Sequence, residues 1–120
     1  MINERPHKKL EVWKKSMALV TLIYEETKAF PRDEEYGLKS YLRRAAVSVP
    51  SNIADGLTRK KKKEKLNFLS IAQSSLSEID TQAEVCVNMN YFYRAQYEKI
   101  EAHLIEIQKL LSSLRKSIRD

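Results

Sequence analysis

The sequence predicts an all-α protein, an antiparallel up-down-up-down four-helix bundle forming a single domain over residues 1–120. Three observations carry that prediction. Only 2 of the 120 residues are Gly and 3 are Pro, too few for an all-β chain, which needs a turn signal about every 8–12 residues. Four segments repeat apolar residues at alternating intervals of three and four, the period of one helix face. The links between them, around residues 29–33, 56–60 and 89–93, are short, so successive helices should be antiparallel neighbours.

The first segment runs over about 7–28. Leu10, Trp13, Met17, Val20 and Tyr24 form the stripe expected to face the core, with Val12, Leu19, Leu22 and Ile23 widening it. A face so wide can touch a second neighbour, including one in another subunit. Phe30-Pro31 ends the segment, because proline biases the residue before it away from helical geometry.

The second segment covers about 33–55, with Gly37 separating a short turn from the main helix and Leu38, Leu42, Ala45, Ala46, Val49 and Ile53 facing inward. Pro50 removes a donor and frees the Ala46 carbonyl, so a kink or short break is expected near Ser48–Asn52. Ser48 or Asn52 is expected to satisfy the backbone groups Pro50 leaves open. Gly56 is placed to close the helix in a left-handed conformation.

The third segment, about 61–88, carries Leu69, Ala72, Leu76, Ile79, Ala83 and Cys86 on one face. The fourth, about 94–118, carries Tyr97, Ile100, Leu104, Ile107, Leu111, Leu114 and Ile118. Sustained alternation of three and four favours nearly parallel packing at about 20°, the geometry of helix bundles. Tyr91, Phe92 and Tyr93, between these two segments, are expected to plug the end of the core.

The charge is uneven. The chain is +6 overall, yet residues 1–63 hold 15 Lys+Arg against 8 Asp+Glu, and residues 64–120 hold 7 against 8. Much of the excess is one run, Arg59, Lys60, Lys61, Lys62 and Lys63. With Thr58 as N-cap, that run would fill the first turns of the third helix with charges opposed to its dipole. Cations around open helix amides are a natural phosphate site, and a sequence that breaks a local rule without visible compensation invites a functional reading. Arg43 and Arg44 extend the same candidate surface as planar phosphate-binding forks. The alternative is that the lysines are solvated or complement the dipole of the preceding helix, and that the arginines pair with acidic groups.

Catalytic, metal and cofactor chemistry find no pattern. His7 and His103 are isolated, no phosphate-binding or dinucleotide glycine motif occurs, and Cys86 falls on an apolar stripe where a thiol is inert. No enzyme activity is expected. One cysteine suits a reducing, cytoplasmic setting. The N-terminal residues lack the apolar stretch of a secretory signal, and no membrane role is expected.

The segments Phe30-Pro31 with Glu34 and Tyr36-Gly37-Leu38, then Leu42-Arg43-Arg44-Ala45-Ala46-Val47-Ser48-Val49-Pro50-Ser51-Asn52-Ile53-Ala54-Asp55-Gly56, resemble the bacterial four-helix-bundle proteins called 23S ribosomal RNA intervening-sequence proteins. Phe68-Leu69, Ile71-Ala72, Ser75-Leu76, Glu78 and Thr81-Gln82 resemble the family's third helix. Tyr41, Asp55 and Ser74 depart from its usual residues. The family is similar to the accessory variability determinant of diversity-generating retroelements. The resemblance implies a basic homopentamer that binds RNA or DNA, with a reverse transcriptase as a candidate protein partner. The other reading is a structural or protein-interaction scaffold with no direct nucleic-acid role.

Overall fold

The computed structural model describes residues 6–120. A 3₁₀ turn, Pro6–Lys9, leads into α1 (Glu11–Glu26); a second, Arg32–Glu34, precedes α2 (Leu38–Thr58); α3 (Lys62–Asn88) and α4 (Arg94–Arg119) complete the chain. No strand occurs among the described residues. Each helix packs on its chain neighbours and α1 closes on α4, while the diagonal pairs make no close backbone approach. That pattern is the square of an up-down-up-down bundle, measuring 43 × 30 × 22 Å. Its long axis matches α3, whose 27 residues span about 40 Å at 1.5 Å each. Among the described residues no helix is long and apolar enough to cross a membrane.

The inward stripes expected of the second, third and fourth helices are the ones buried. Leu42, Ala46, Val49 and Ile53 of α2, Leu69, Ala72, Ile79, Ala83 and Cys86 of α3, and Ile100, Ile107 and Leu111 of α4 have no exposed surface. The α2–α3 contact is the most extensive in the molecule. Small residues are buried on both helices, Ala45, Ala46 and Gly56 on α2 and Ala72, Ser75 and Ala83 on α3, and Gly56 lies directly against Phe68, Lys65 and Leu69.

The first helix differs from expectation. Its buried residues are Val12, Ser16, Leu19 and Ile23, whereas Met17 is 42% and Tyr24 39% exposed. The true core face lies about 100° around the helix from the expected stripe; three of its residues, Val12, Leu19 and Ile23, are among those expected to widen the stripe, and Ser16 is not. Trp13 and Val20 are half-buried. The helix also begins later and ends earlier than expected, at Glu11 and Glu26.

Three helix ends are settled by chemistry the linear pattern placed elsewhere. Gly56 does not end α2 in a left-handed conformation; it is buried in the last turn, where an added Cβ would stand 3.1 Å from Phe68 Cβ and 3.2 Å from the Lys65 carbonyl oxygen. The left-handed cap is Asn90, at φ 65°, after α3. There Tyr91 N–H donates to Cys86 O at 2.8 Å and Asn90 N–H to Val87 O at 3.0 Å, the paired bonds of a Schellman ending. At the start of α2, the Glu34 carboxylate accepts from Leu38 N–H at 3.0 Å and from Tyr91 Oη at 2.9 Å, tying that helix end to the α3–α4 turn.

Pro50 is buried inside α2 without the break expected near Ser48–Asn52. Asn52 Nδ2 donates to the carbonyl of Ser48 at 2.8 Å and to its hydroxyl at 2.9 Å, and that hydroxyl shares a hydrogen with Ser75 Oγ at 2.8 Å. These side chains satisfy Ser48, not the Ala46 carbonyl that proline frees, and the stretch is a polar bridge from α2 to α3. The aromatic plug forms with a different membership: Phe92 is buried and Tyr91 half-buried against Phe30, at centroid distances of 5.2 and 5.4 Å. Tyr93 is 82% exposed and serves as the N-cap position of α4, its N–H bonded to Gln96 Oε1.

Candidate nucleic-acid interface

The basic run forms the junction between α2 and α3. Thr58 is the last residue of α2, with its hydroxyl on the Asp55 carbonyl, so it is not the N-cap of α3. Arg59 and Lys61 are extended, and Lys61 holds the N-cap position without a side-chain bond to the helix. The run is therefore divided. Arg59, Lys60 and Lys61 form the link, and only Lys62 and Lys63 enter the first turn, beside Glu64. All five cations are exposed.

Two lysines here serve helix ends. Lys65 Nζ donates to the Leu57 carbonyl at 3.4 Å, and Lys62 Nζ to the Arg119 carbonyl at 3.3 Å. Both acceptors lie at helix C-termini, where the dipole is negative and a cation is favoured. Arg59 lies over the face of Phe68 at 4.5 Å, a contact worth about 0.5–1 kcal/mol at an exposed site. The Lys60, Lys61 and Lys63 side chains make no hydrogen bond or ion pair among the described residues.

The Lys62–Arg119 bond shows what the linear sequence conceals. The antiparallel topology brings the last turn of α4, with Lys116 and Arg119, to the same end of the bundle as the basic run. Asp55, Glu64 and Asp120 are the acidic residues nearby in sequence, and none forms an ion pair. The ion pairs among the described residues lie elsewhere: Lys15–Glu106, Lys39–Glu35, Arg94–Glu84 and Lys99–Glu26.

The structure separates Arg43 and Arg44 from this surface and from each other. Arg43 reaches back to the end of α1, where Nε donates to Thr27 Oγ1 at 2.9 Å and Nη2 to the Tyr24 carbonyl at 3.0 Å, its guanidinium lying 4.3 Å over the Tyr24 ring. Thr27 is fully buried and passes its own hydrogen to the Ile23 carbonyl at 2.8 Å. Arg43 thus closes the C-terminus of α1, a use that was neither the phosphate fork nor the ion pair expected. Arg44 is exposed on the outer face of α2, between one hollow shared with Tyr41, Ser48, Glu78 and Gln82 and another shared with Tyr24, Tyr36 and Lys39. Both arginines belong to the half of α2 farther from the junction, since α2 reaches the basic end only at Thr58.

The groove between α3 and α4, about 470 Å³, is lined by Leu76, Asp80, Glu101, Leu104, Ile105 and Lys109. Tyr97 Oη donates to Asp80 at 2.7 Å and approaches Glu101 at 3.3 Å, and these carboxylates hold its hydroxyl protonated well above the usual phenol range. No group of three His, Cys, Asp or Glu side chains able to hold a metal ion occurs among the described residues. Burial pushes the Cys86 thiol up to about 12.

Residues 8–113 match the family model described as "23S rRNA-intervening sequence protein". The chain belongs to that family. Among solved structures, it is similar to a protein of unknown function from the S23 ribosomal protein family of Bacteroides thetaiotaomicron VPI-5482. That similarity has 27% identity, a TM-score of 0.78, and coverage of 88% of this chain and 98% of the other. No curated protein matches. The family match includes the Arg43–Gly56 block and the whole basic run, and it stops short of Lys116 and Arg119.

Proposed function

We propose that this 23S rRNA-intervening sequence protein is a non-enzymatic, self-associating bundle that binds RNA or DNA through its basic end, in a cytoplasmic setting. One observation carries the reading: Arg59–Lys63 places five consecutive cations together, exposed and without ion pairs among the described residues, whereas the carboxylate partners go to Lys15, Lys39, Arg94 and Lys99. Like charges held together in water repel, and a polyanion relieves that repulsion while releasing its own counterions. The high-pKa, buried Cys86 and the edge-on packing of His7 against Trp13 at 5.2 Å fit a binding role better than a catalytic one.

The test replaces Arg59, Lys60, Lys61, Lys62 and Lys63 with glutamine and measures affinity for RNA and DNA across a salt series, with circular dichroism confirming the fold. If the five residues engage five phosphates, they contribute about −4.5 to the log–log salt slope on duplex DNA, and the variant loses that contribution. An unchanged affinity and slope in the folded variant would sink the reading.

Self-association is supported by the exposed half of the α1 apolar arc. Met17 and Tyr24 form its open edge, and Tyr24 touches Arg43, so the edge runs along the α1–α2 seam that also carries the 41%-exposed Val47. The resemblance adds a pentamer and a reverse transcriptase partner to this reading. Light scattering should give a mass that is a multiple of 14.0 kDa, and Met17→Glu should reduce it toward the monomer. A monomeric native protein would remove the ring. The same apolar edge favours the second reading, a protein-interaction scaffold, which stands if the glutamine variant keeps the native salt response.

A further inference from the structure

The basic end differs from the rest of the surface in what it lacks as well as in what it carries. The most exposed aromatic side chains are Tyr36 at 91%, Tyr93 at 82% and Tyr41 at 54%. Tyr36 and Tyr41 flank the start of α2, and Tyr93 precedes α4, so all three lie toward the opposite end of the bundle. At the basic end the aromatic rings are occupied. Arg59 covers Phe68, and half-buried Trp13 packs against the core and His7. The cations here are mostly lysines, mobile point charges without the planar fork that reads guanine edges.

From this we infer that the basic end binds double-stranded nucleic acid by its phosphates, without base recognition, and that Lys116 and Arg119 of α4 belong to the same binding surface. The inference rests on the nucleic-acid reading above and names its ligand class. Proteins that hold single strands without sequence preference add aromatic platforms, on which successive bases stack, to a positive groove. Among the described residues this end offers no uncovered ring for that purpose, so a single strand gains only the electrostatic part. A duplex presents denser charge, with a salt slope of about −0.9 per phosphate contact against about −0.7 for a single strand. With the five contacts of Arg59–Lys63, the two of Lys116 and Arg119, and equal affinity at 1 M salt, the two ligands diverge by about 25-fold at 0.1 M. The end is 22–30 Å across, which covers about 6–9 base pairs at 3.4 Å each.

The test titrates the full chain with a labelled 20-base-pair duplex, as DNA and as RNA, and with each separated strand, from 50 to 300 mM KCl. The expected result is duplex binding about 25-fold tighter than either strand at 100 mM salt, changing less than about threefold when the sequence is scrambled. The Lys116→Gln, Arg119→Gln double variant should lower the magnitude of the duplex slope by about 1.8 with its melting curve and mass retained. If the strands bind as tightly as the duplex while the Arg59–Lys63 variant still loses binding, the duplex assignment is overturned and the nucleic-acid reading survives. If neither ligand binds at 50 mM KCl, both fall. A slope unchanged in the double variant removes α4 from the surface. Tighter binding to an acidic peptide or to anionic vesicles, lost in the same variants, would reassign the surface to that partner.

Discussion

Ile23→Ala is expected to destabilise the fold by about 2–5 kcal/mol, the range for emptying a buried isoleucine site. Ile23 has no exposed surface and sits one turn before Thr27, whose hydroxyl binds its carbonyl and receives Arg43. The surrounding helices cannot collapse onto the vacated space without disturbing that three-residue lock between α1 and α2. The sequence pattern ranked the neighbouring stripe of Trp13, Met17 and Tyr24 as the core face, so this substitution tests the rotation of α1 directly. Chemical denaturation at fixed protein concentration measures it, because self-association would make the apparent stability concentration-dependent. A loss below about 1 kcal/mol would mean that Ile23 faces a compliant or solvated environment, contradicting the observed packing.

Gly56→Leu should lower stability by about 1–3 kcal/mol or more, as overpacking in a close contact does. In an ordinary exposed helix the same replacement would raise stability, since glycine disfavours a helix interior by about 0.5–1 kcal/mol relative to alanine. Here the first added carbon already stands at 3.1 and 3.2 Å from Phe68 Cβ and the Lys65 carbonyl. Both belong to the framework of α3 and cannot swing aside as the end of a long side chain could. The larger side chain must push α3 away, loosening the α2–α3 contact and the junction that carries the basic run. Thermal unfolding reads the result: a melting temperature equal to or above that of the native chain would show that the helices are not held this close. Gly56→Ala, which adds only the crowded carbon, should lie between the two.

Much of the fold was legible in the sequence because it is local. The α2, α3 and α4 stripes each have a single apolar face, so their 3.6-residue periodicity leaves one answer. The wide arc of α1 allowed two, and periodicity cannot choose between adjacent halves of one apolar surface. The left-handed cap was sought at Gly56 because glycine is the usual residue there, whereas Asn90 adopts it and Gly56 answers a contact with α3. The candidate site was half legible. The run Arg59–Lys63 is adjacent in sequence and stands together in space, but Lys116 and Arg119 join it only because α4 runs back to that end. Arg43 and Arg44, adjacent in sequence, part company because neighbouring helical residues point about 100° apart.

The amino-acid sequence by itself determined four helices, their order, three of the four inward faces, the family and the location of the unbalanced charge. The helices, their faces and the charge follow from spacing and composition along the chain, and the family from the resemblance of the Phe30–Gly56 and Phe68–Gln82 motifs. The tertiary structure decided which half of α1 is buried, which arginine is bound to a helix end, and which distant cations share the basic end. These depend on contacts between distant segments, such as Lys62 with Arg119, 57 residues apart. Whether a surface side chain is partnered or available to a ligand is fixed by what the other helices place beside it.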